Sequence, residues 1–304
     1  MNSGLGSRIR LVELENNSNE DILDSSSDFL YPDRYRNLHG NPGSEVIYDS
    51  SQFGEIYLRM AVTKETSDHF LFAHYLWNAS LQMAEFVSQA EKPLQRDWDL
   101  KGETVLEVGA GECKSKRQLD KYLITIQGAA LAGIIGILSG ARSVTISDYP
   151  TTSIIDNIHA NVDRNVPESL KSAVTVEGHQ WGMIEDDMGR HNAGSFTRIL
   201  CADCIWMLGE HSNLLKTLDH FLAPVNTARI WLIAGFHTGR DVVKLFLDLT
   251  FRAGFEIEKI WEQDTHGKKR PWSRCRKGLH NDIDERRKWL LVTILRRRDP
   301  TTLI

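Results

Sequence analysis

Four cysteines in 304 residues show no paired pattern, so no disulfide framework holds this chain together. No signal peptide is read in it, and the two together imply a reducing compartment, cytosolic or nuclear, with the cytoplasm expected. The longest apolar run, Gly128 to Leu138, is too short to cross a bilayer, so no membrane role is expected. Neither sign of charge dominates: 36 basic against 41 acidic side chains give a net charge of −5, which argues neither for nor against nucleic acid. Internal repeats are absent. What remains is a chain of ordinary globular composition, long enough for one large domain or one domain with a cap.

Its most informative stretch is Val105-Leu-Glu107-Val-Gly109-Ala110-Gly111, a strand closing on a glycine turn. A second apolar run, Ser143-Val-Thr-Ile-Ser-Asp148-Tyr-Pro, closes on an acid. Such a pair is how an α/β sheet grips a nucleoside: glycines let the backbone approach, and a carboxylate accepts both ribose hydroxyls. In this reading Gly109, Ala110 and Gly111 face the amino-acid part of a nucleoside cofactor, and Glu107 bonds its amino group or water. The bland readings are an ordinary β–α turn and, for Asp148, a helix N-terminal residue that needs no ligand.

The spacing is wrong by a wide margin. From Gly111 to Asp148 is nearly twice the roughly 20 residues usual for such a pair. Residues 112–128, polar and basic at their start, fit neither the turn before them nor the small-residue run after them. Their removal restores a glycine turn feeding straight into a helix. The segment reads as a retained short intron or misplaced exon boundary, with a genuine surface insertion as the alternative. An insertion there is expected to displace the following helix.

Further candidates lie on later strand ends. Trp181, in His-Gln-Trp-Gly after the third strand, has an indole face suited to stacking on adenine, and Trp77, on an expected helix over 68–90, is placed to close over the same ligand. Either tryptophan is equally well a core residue. Leu200-Cys-Ala202-Asp203-Cys-Ile-Trp206 ends the fourth strand, at the switch region where α/β proteins hold ligands. Ala202 leaves room for a cofactor, while Asp203 and Trp206 face an incoming substrate. Cys201 and Cys204 have C-x-x-C spacing, but positions three apart on a strand face opposite sides, so no zinc or redox role is expected. His237 and Arg240, in Phe-His-Thr-Gly-Arg after the fifth strand, reach the same rim; His237 touches the substrate or is a satisfied rim histidine, and Arg240 is available to an acid.

Residues 1–45 form a polar leader expected to be poorly ordered. Residues 46–100 form an extension or cap, with a strand or two in 47–59, and 101–298 form the main domain. Strands are expected near 103–108, 143–147, 173–177, 196–202, 229–236, 255–262 and 289–296. Helices are expected near 129–139, 152–162, 211–222 and 238–252. The alternation implies a mostly parallel, doubly wound α/β sheet. The polar loop 267–284 suits a closing antiparallel hairpin.

Taken together, Leu-Trp-Asn-Ala at 76–79, Glu-Val-Gly-Ala-Gly at 107–111, Ser-Asp-Tyr-Pro at 147–150, Trp-Gly at 181–182 and Ala-Asp-x-x-Trp at 202–206 resemble the class I S-adenosylmethionine-dependent methyltransferases. Within these they are most similar to the lysine methyltransferase family, whose fungal members are often labelled nicotinamide N-methyltransferase-like. The resemblance covers about residues 45–297. It implies a Rossmann-like seven-stranded sheet with the last strand antiparallel, S-adenosylmethionine as cofactor, and contacts to it from Trp77, Gly109, Ala110, Gly111, Asp148, Trp181 and Ala202. It implies a protein acceptor, of translation elongation factor or chaperone type, modified on lysine or at an amino terminus; a small amine such as nicotinamide is the alternative. Trp206 stands where many lysine-modifying relatives carry tyrosine or phenylalanine.

For such chemistry no metal or dedicated base is needed, because a nucleophile must only be aligned in line with a sulfonium methyl group and kept from water. A lysine must arrive neutral or lose its proton in the pocket. Asp203 would orient the amine, and Trp206 would offer an aromatic wall to a cation. An Asn- or Asp-Pro-Pro-aromatic motif, as a nucleobase methyltransferase would carry, is missing, so no nucleic-acid substrate is expected. The turn also does not read G-x-G-x-x-G, against a nicotinamide dehydrogenase. A non-catalytic binding module remains the rival if residues 112–128 disable the turn.

Overall fold

The computed structural model describes residues 4–12, 38–40, 43–62, 76–89, 92–109, 129–276 and 283–299. Ala110, Gly111 and the segment 112–128 lie outside the described residues.

The strands, in chain order, are β1 (Ile9–Leu11), β2 (Leu38–His39), β3 (Glu45–Ser50), β4 (Gly54–Arg59), β5 (Leu76–Trp77), β6 (Thr104–Val108), β7 (Ser143–Asp148), β8 (Val174–Gly178), β9 (Arg198–Ala202), β10 (Arg229–Gly235), β11 (Phe255–Asp264), β12 (Lys269–Pro271) and β13 (Trp289–Arg297). The principal helices are α1 (Asn78–Ser88), α2 (Leu131–Leu138), α3 (Thr152–Asn165), α4 (His211–Phe221) and α5 (Arg240–Arg252). The main sheet runs β12-β11-β13-β10-β9-β6-β7-β8. From β10 to β8 every pairing is parallel, and β13 inserts antiparallel between β10 and β11. This is the expected Rossmann-like order with one strand more than seven. The extra strand, β12, comes from the loop expected to close a hairpin: it folds back on β11 through Gly267, whose φ of +85° suits glycine.

Central strands read as continuous apolar runs because helices cover both faces. In β10, Ile230 to Ala234 are all buried. On one side α1, α2 and α3 pack with the amino-terminal strands; on the other, α4 and α5 bury Leu214, Leu218, Phe221, Val243 and Phe246. Each such side chain contributes roughly 1.5–3 kcal/mol on leaving water. Helix α1 is buried along its whole length, between α2 and the sheet.

Three expectations need correction. Trp77 does not lie on the helix; it ends β5, pairs with Leu38 of β2, and stands at the position before α1. Part of the polar leader is ordered: Leu5 is buried, its amide donates to the Thr265 carbonyl at 2.7 Å, and β1 pairs with β3. Helix α2 is not displaced by the segment before it. It starts at Leu131, after Ala130 in the left-handed region (φ +61°), and its Gly133 sits so close to β7 that a Cβ would lie 2.7 Å from Ile146.

The three-stranded sheet β1-β3-β4 is tied to the main body by side chains. Asn161 on α3 accepts from the Arg59 amide at 2.8 Å and donates to its carbonyl at 3.0 Å; one turn later Asn165 does the same for Tyr57, at 2.8 and 2.6 Å. Two asparagines at i, i+4 spacing thus act as a further strand along β4, satisfying groups that an open edge would leave unpaired.

Candidate functional site

The carboxyl ends of β6, β7, β9 and β10 meet at one edge of the sheet, and nearly every candidate residue lies there. β6 ends at Val108, and the next amide, of Gly109, donates to the Ser147 carbonyl at 2.7 Å. Asp148 is buried at the end of β7 and lies against Gly109: a Cβ built there would stand 2.3 Å from the carboxyl carbon. Only glycine permits that approach. One carboxylate oxygen accepts from the Tyr149 amide at 2.7 Å. The pair fits a nucleoside cofactor, with a carboxylate for the ribose diol facing a turn that has no side chain in the way. Gly109 and Asp148 would hold the cofactor, with Ala202 buried at the end of β9.

Glu107 is fully enclosed, and its Oε2 accepts from the Gly133 amide at 2.7 Å, so it caps the first turn of α2. Burial pushes its carboxyl up to about 7, and the amides of Gly133 and Ala132 pull the other way without prevailing.

Trp181 follows β8 and packs into the apolar cluster on the α4 side. Its loop is fixed by groups the sequence did not single out. His179 Nδ1 lies 2.8 Å from Asp186 Oδ2, and Thr217 Oγ1 accepts from the Gly182 amide at 2.8 Å. Burial holds the His179 imidazole below the usual histidine range.

At the end of β9 the chain turns sharply. Asp203 adopts φ +56° and is buried; its amide donates to the Ile233 carbonyl at 2.7 Å, and its Oδ1 accepts from the Gly235 amide at 3.0 Å. Asp203 Oδ2 faces His237 Nδ1 at 3.8 Å. Neither ring nitrogen of His237 has a hydrogen-bond partner, although both are buried. The indole of Trp77 stacks on the imidazole at 4.9 Å between centroids. The buried indole nitrogens of Trp77 and Trp206 are likewise unpaired. A buried polar atom without a partner is costly, and His237 and Trp77 bring three such nitrogens together beside Asp203. The structure therefore puts Trp77 beside His237.

The turn at Asp203 also overturns the expectation that Cys201 and Cys204 face apart. Cys204 folds back beneath the glycine turn, its thiol donating to the Val108 carbonyl at 3.2 Å. Burial and the adjacent Cys201 thiol push its pKa up, so it is an unreactive packing group. Among the described residues no group of three or more histidine, cysteine, aspartate or glutamate side chains is placed to hold a metal ion. Arg240 is already engaged: its guanidinium forks onto Glu262 at 2.6 and 3.2 Å.

A cavity of about 400 Å³ lies at the opposite edge of the sheet, among Arg96, Glu103, Arg198, Arg229 and Trp231. Its charges pair internally, Arg198 with Glu103 and Arg229 with Glu258, and it is remote from the glycine turn.

Comparison with known proteins agrees with this geometry. A family profile described as lysine methyltransferase matches residues 120–249. A protein N-terminal and lysine N-methyltransferase of Schizosaccharomyces pombe is 27% identical over 69% of this chain and 72% of its own length. A protein of the same description from Emericella nidulans is 26% identical over 65% and 71%, and one from Yarrowia lipolytica is 23% identical over 83% and 89%. Among solved structures, a putative SAM-dependent methyltransferase from Streptococcus mutans superposes with a TM-score of 0.50, covering 91% of this chain and 65% of that one at 10% identity. A putative methyltransferase complexed with SAH gives 0.51 with the same coverage and identity. At that identity the structures establish the fold, while the sequence relatives carry the chemistry. Over residues 120–249 the chain is similar to the lysine methyltransferase family, and it is an S-adenosylmethionine-dependent methyltransferase.

Proposed function

We propose that this enzyme methylates a protein amine, the ε-amino group of a lysine or an amino terminus, on an acceptor of elongation-factor or chaperone type in the cytoplasm. The carrying observation is the group of Asp203, His237 and Trp77, with the unpaired buried nitrogens of His237 and Trp77. The relatives, described as protein N-terminal and lysine N-methyltransferases, favour a protein over a nicotinamide-like small molecule. No helix among the described residues is long and apolar enough to cross a membrane.

When bound, S-adenosylmethionine supplies a methyl group activated by its sulfonium charge. Gly109 and Asp148 would hold it at the glycine turn, beside the small side chain of Ala202 at the end of β9. The acceptor arrives as an ammonium ion, which the indole faces of Trp77 and Trp206 attract. Asp203, anchored through Oδ1 by Gly235, presents Oδ2 to that ammonium and fixes its direction. The proton must leave before the lone pair can attack, and His237 Nδ1 is the unbonded acceptor beside Asp203. The aromatic walls keep water out of the line of displacement.

The test is transfer of tritiated methyl groups to proteins of a fungal extract, with the site read by mass spectrometry. Label on a lysine or amino terminus is expected. Label on nicotinamide and on no protein would move the acceptor to a small molecule.

A further inference from the structure

A second concavity, of about 190 Å³ and lined by Phe236, the chain neighbour of His237, plays no part in the mechanism above. It is walled by the start of α5, the stretch 270–276 that follows the β11–β12 turn, and Arg286. Among the described residues, five arginines line it, Arg240, Arg270, Arg274, Arg276 and Arg286, against the carboxylate of Asp241. Beneath the wall Glu262, with no exposed surface, is shared by three of them: Arg240 at 2.6 Å, Arg270 at 2.7 Å and Arg276 at 3.3 Å. Arg240 donates further to the Ser273 carbonyl at 2.9 Å and Arg276 to the Pro271 carbonyl at 2.6 Å, so three positive charges stand over one carboxylate. Arg274 pairs with Asp248 across an exposed bridge at 2.6 Å, which is weak in water. The Nε of Arg286 is buried without a partner.

The cations are also preorganised. Arg240 lies 4.2 Å from the ring centre of Phe236 and 5.1 Å from that of Trp272, and these two rings are parallel within 7°. Arg270 stacks on Trp289 at 3.5 Å. Stacked guanidinium groups retain their charge and donors while losing rotamer freedom in advance, so an anion binds them at low entropic cost. Gly239, before the first turn of α5, offers no side-chain cap, which leaves the positive end of a 13-residue helix at the same wall.

We propose that this pocket receives an aspartate or glutamate side chain of the protein acceptor, near in space to the methylated amine, and so selects which proteins are modified. The inference rests on the protein-acceptor reading. Phe236 joins the pocket to His237 directly, so an acceptor segment seated on the arginines would pass the chamber. A carboxylate matches the partner that these same guanidinium groups already take in Glu262.

The experiment measures fluorescence anisotropy of three labelled peptides: six glutamates, a serine–glycine peptide of equal length, and one carrying phosphoserine. They are titrated with the wild-type protein and with an Arg274→Ala, Arg286→Ala double variant, at two salt concentrations. The glutamate peptide is expected to bind the wild type in a salt-sensitive way and to bind the variant at least tenfold more weakly, while the affinity for S-adenosylhomocysteine stays within twofold. Equal binding to both proteins, or equal binding of the serine–glycine peptide, overturns the proposal; binding of phosphoserine alone overturns the carboxylate assignment. Should the double variant fail to fold, protection of wild-type Arg274, Arg276 and Arg286 from phenylglyoxal by the glutamate peptide, read by mass spectrometry, decides the same question. Glutamate binding without methylation of any protein would sink the acceptor reading, and with it the selective role, but not the carboxylate site.

Discussion

Asp203 Oδ2 stands 3.8 Å from His237 Nδ1, while the other oxygen of the same carboxylate is held by the Gly235 amide at 3.0 Å. The two oxygens therefore have different work: one fixes the side chain, the other faces the chamber. Asp203→Asn separates them. Asparagine tolerates the left-handed backbone at φ +56° and retains an oxygen for Gly235, so the fold should be kept. The charge facing His237 is lost. Methyl transfer is expected to fall on the order of 100-fold, the lower range for a lost proton-handling group, with S-adenosylhomocysteine affinity within twofold. Unchanged turnover in single-turnover assays would remove Asp203 from the mechanism.

The second prediction concerns pH. Glu107 has its carboxyl raised from 4.5 to about 7 by burial. An acid whose folded-state pKa lies above its unfolded value favours folding most when protonated in both states. That contribution is complete below about 4.5 and is lost as pH rises through about 7. At about 1.4 kcal/mol per unit, its loss amounts to roughly 3 kcal/mol for a fully buried group. Glu107→Gln keeps an oxygen for Gly133 and removes the titration. Urea midpoints of the ligand-free protein should fall from pH 5 to pH 8 in the wild type and fall less in the variant. Parallel curves would mean that Glu107 is ionised throughout.

Asn161 supplies the third. It accepts from the Arg59 amide and donates to the Arg59 and Ala129 carbonyls, at 2.8, 3.0 and 3.3 Å, from a buried position. Asn161→Leu fills similar volume but leaves the Arg59 amide without its acceptor. A cost of about 1–3 kcal/mol is expected, the penalty for a buried donor left unsatisfied. Equilibrium denaturation measures it, and a loss under about 0.5 kcal/mol would mean that water replaces the side chain.

Much of this arrangement is legible in the residue order, for identifiable reasons. Strands β6, β7, β9 and β10 each carry buried apolar residues and give way to one that breaks the pattern: Gly109, Asp148, Asp203 and Gly235. Because parallel strands deliver those endings to one edge, the site can be read from one dimension. The position of Trp77 was not legible, since its helical spacing continues unbroken into α1 while pairing with Leu38 makes it a strand residue. Nor was the joining of Cys201 and Cys204. That depends on a left-handed Asp203, which local propensity disfavours and which the Ile233 and Gly235 contacts hold in place. Glu262 and its arginines were invisible for a different reason: charged residues on a basic stretch read as solvated surface, and only the fold of 270–276 back onto β11 buries the carboxylate.

The last prediction addresses residues 112–128, between the glycine turn and α2. The flanks on either side are already anchored: Glu107 caps α2 through Gly133, and the Ala129 carbonyl accepts from Asn161. Those contacts do not depend on the intervening length. A version lacking 112–128 should therefore fold, and because loop-closure entropy changes by only about 0.6 kcal/mol per doubling of length, its stability should differ by about 1 kcal/mol or less. The cofactor turn is the element that should respond. With Gly111 followed directly by Ala129, the backbone facing Asp148 is confined, and calorimetric titration with S-adenosylhomocysteine should show an affinity at least tenfold higher, about 1.4 kcal/mol. Equal affinity in both versions would make the segment a tolerated surface insertion. Transcript sequencing supplies the independent arm: if every message carries these codons, the intron reading fails, and a higher affinity of the shortened version would mean that the segment restrains the enzyme that contains it.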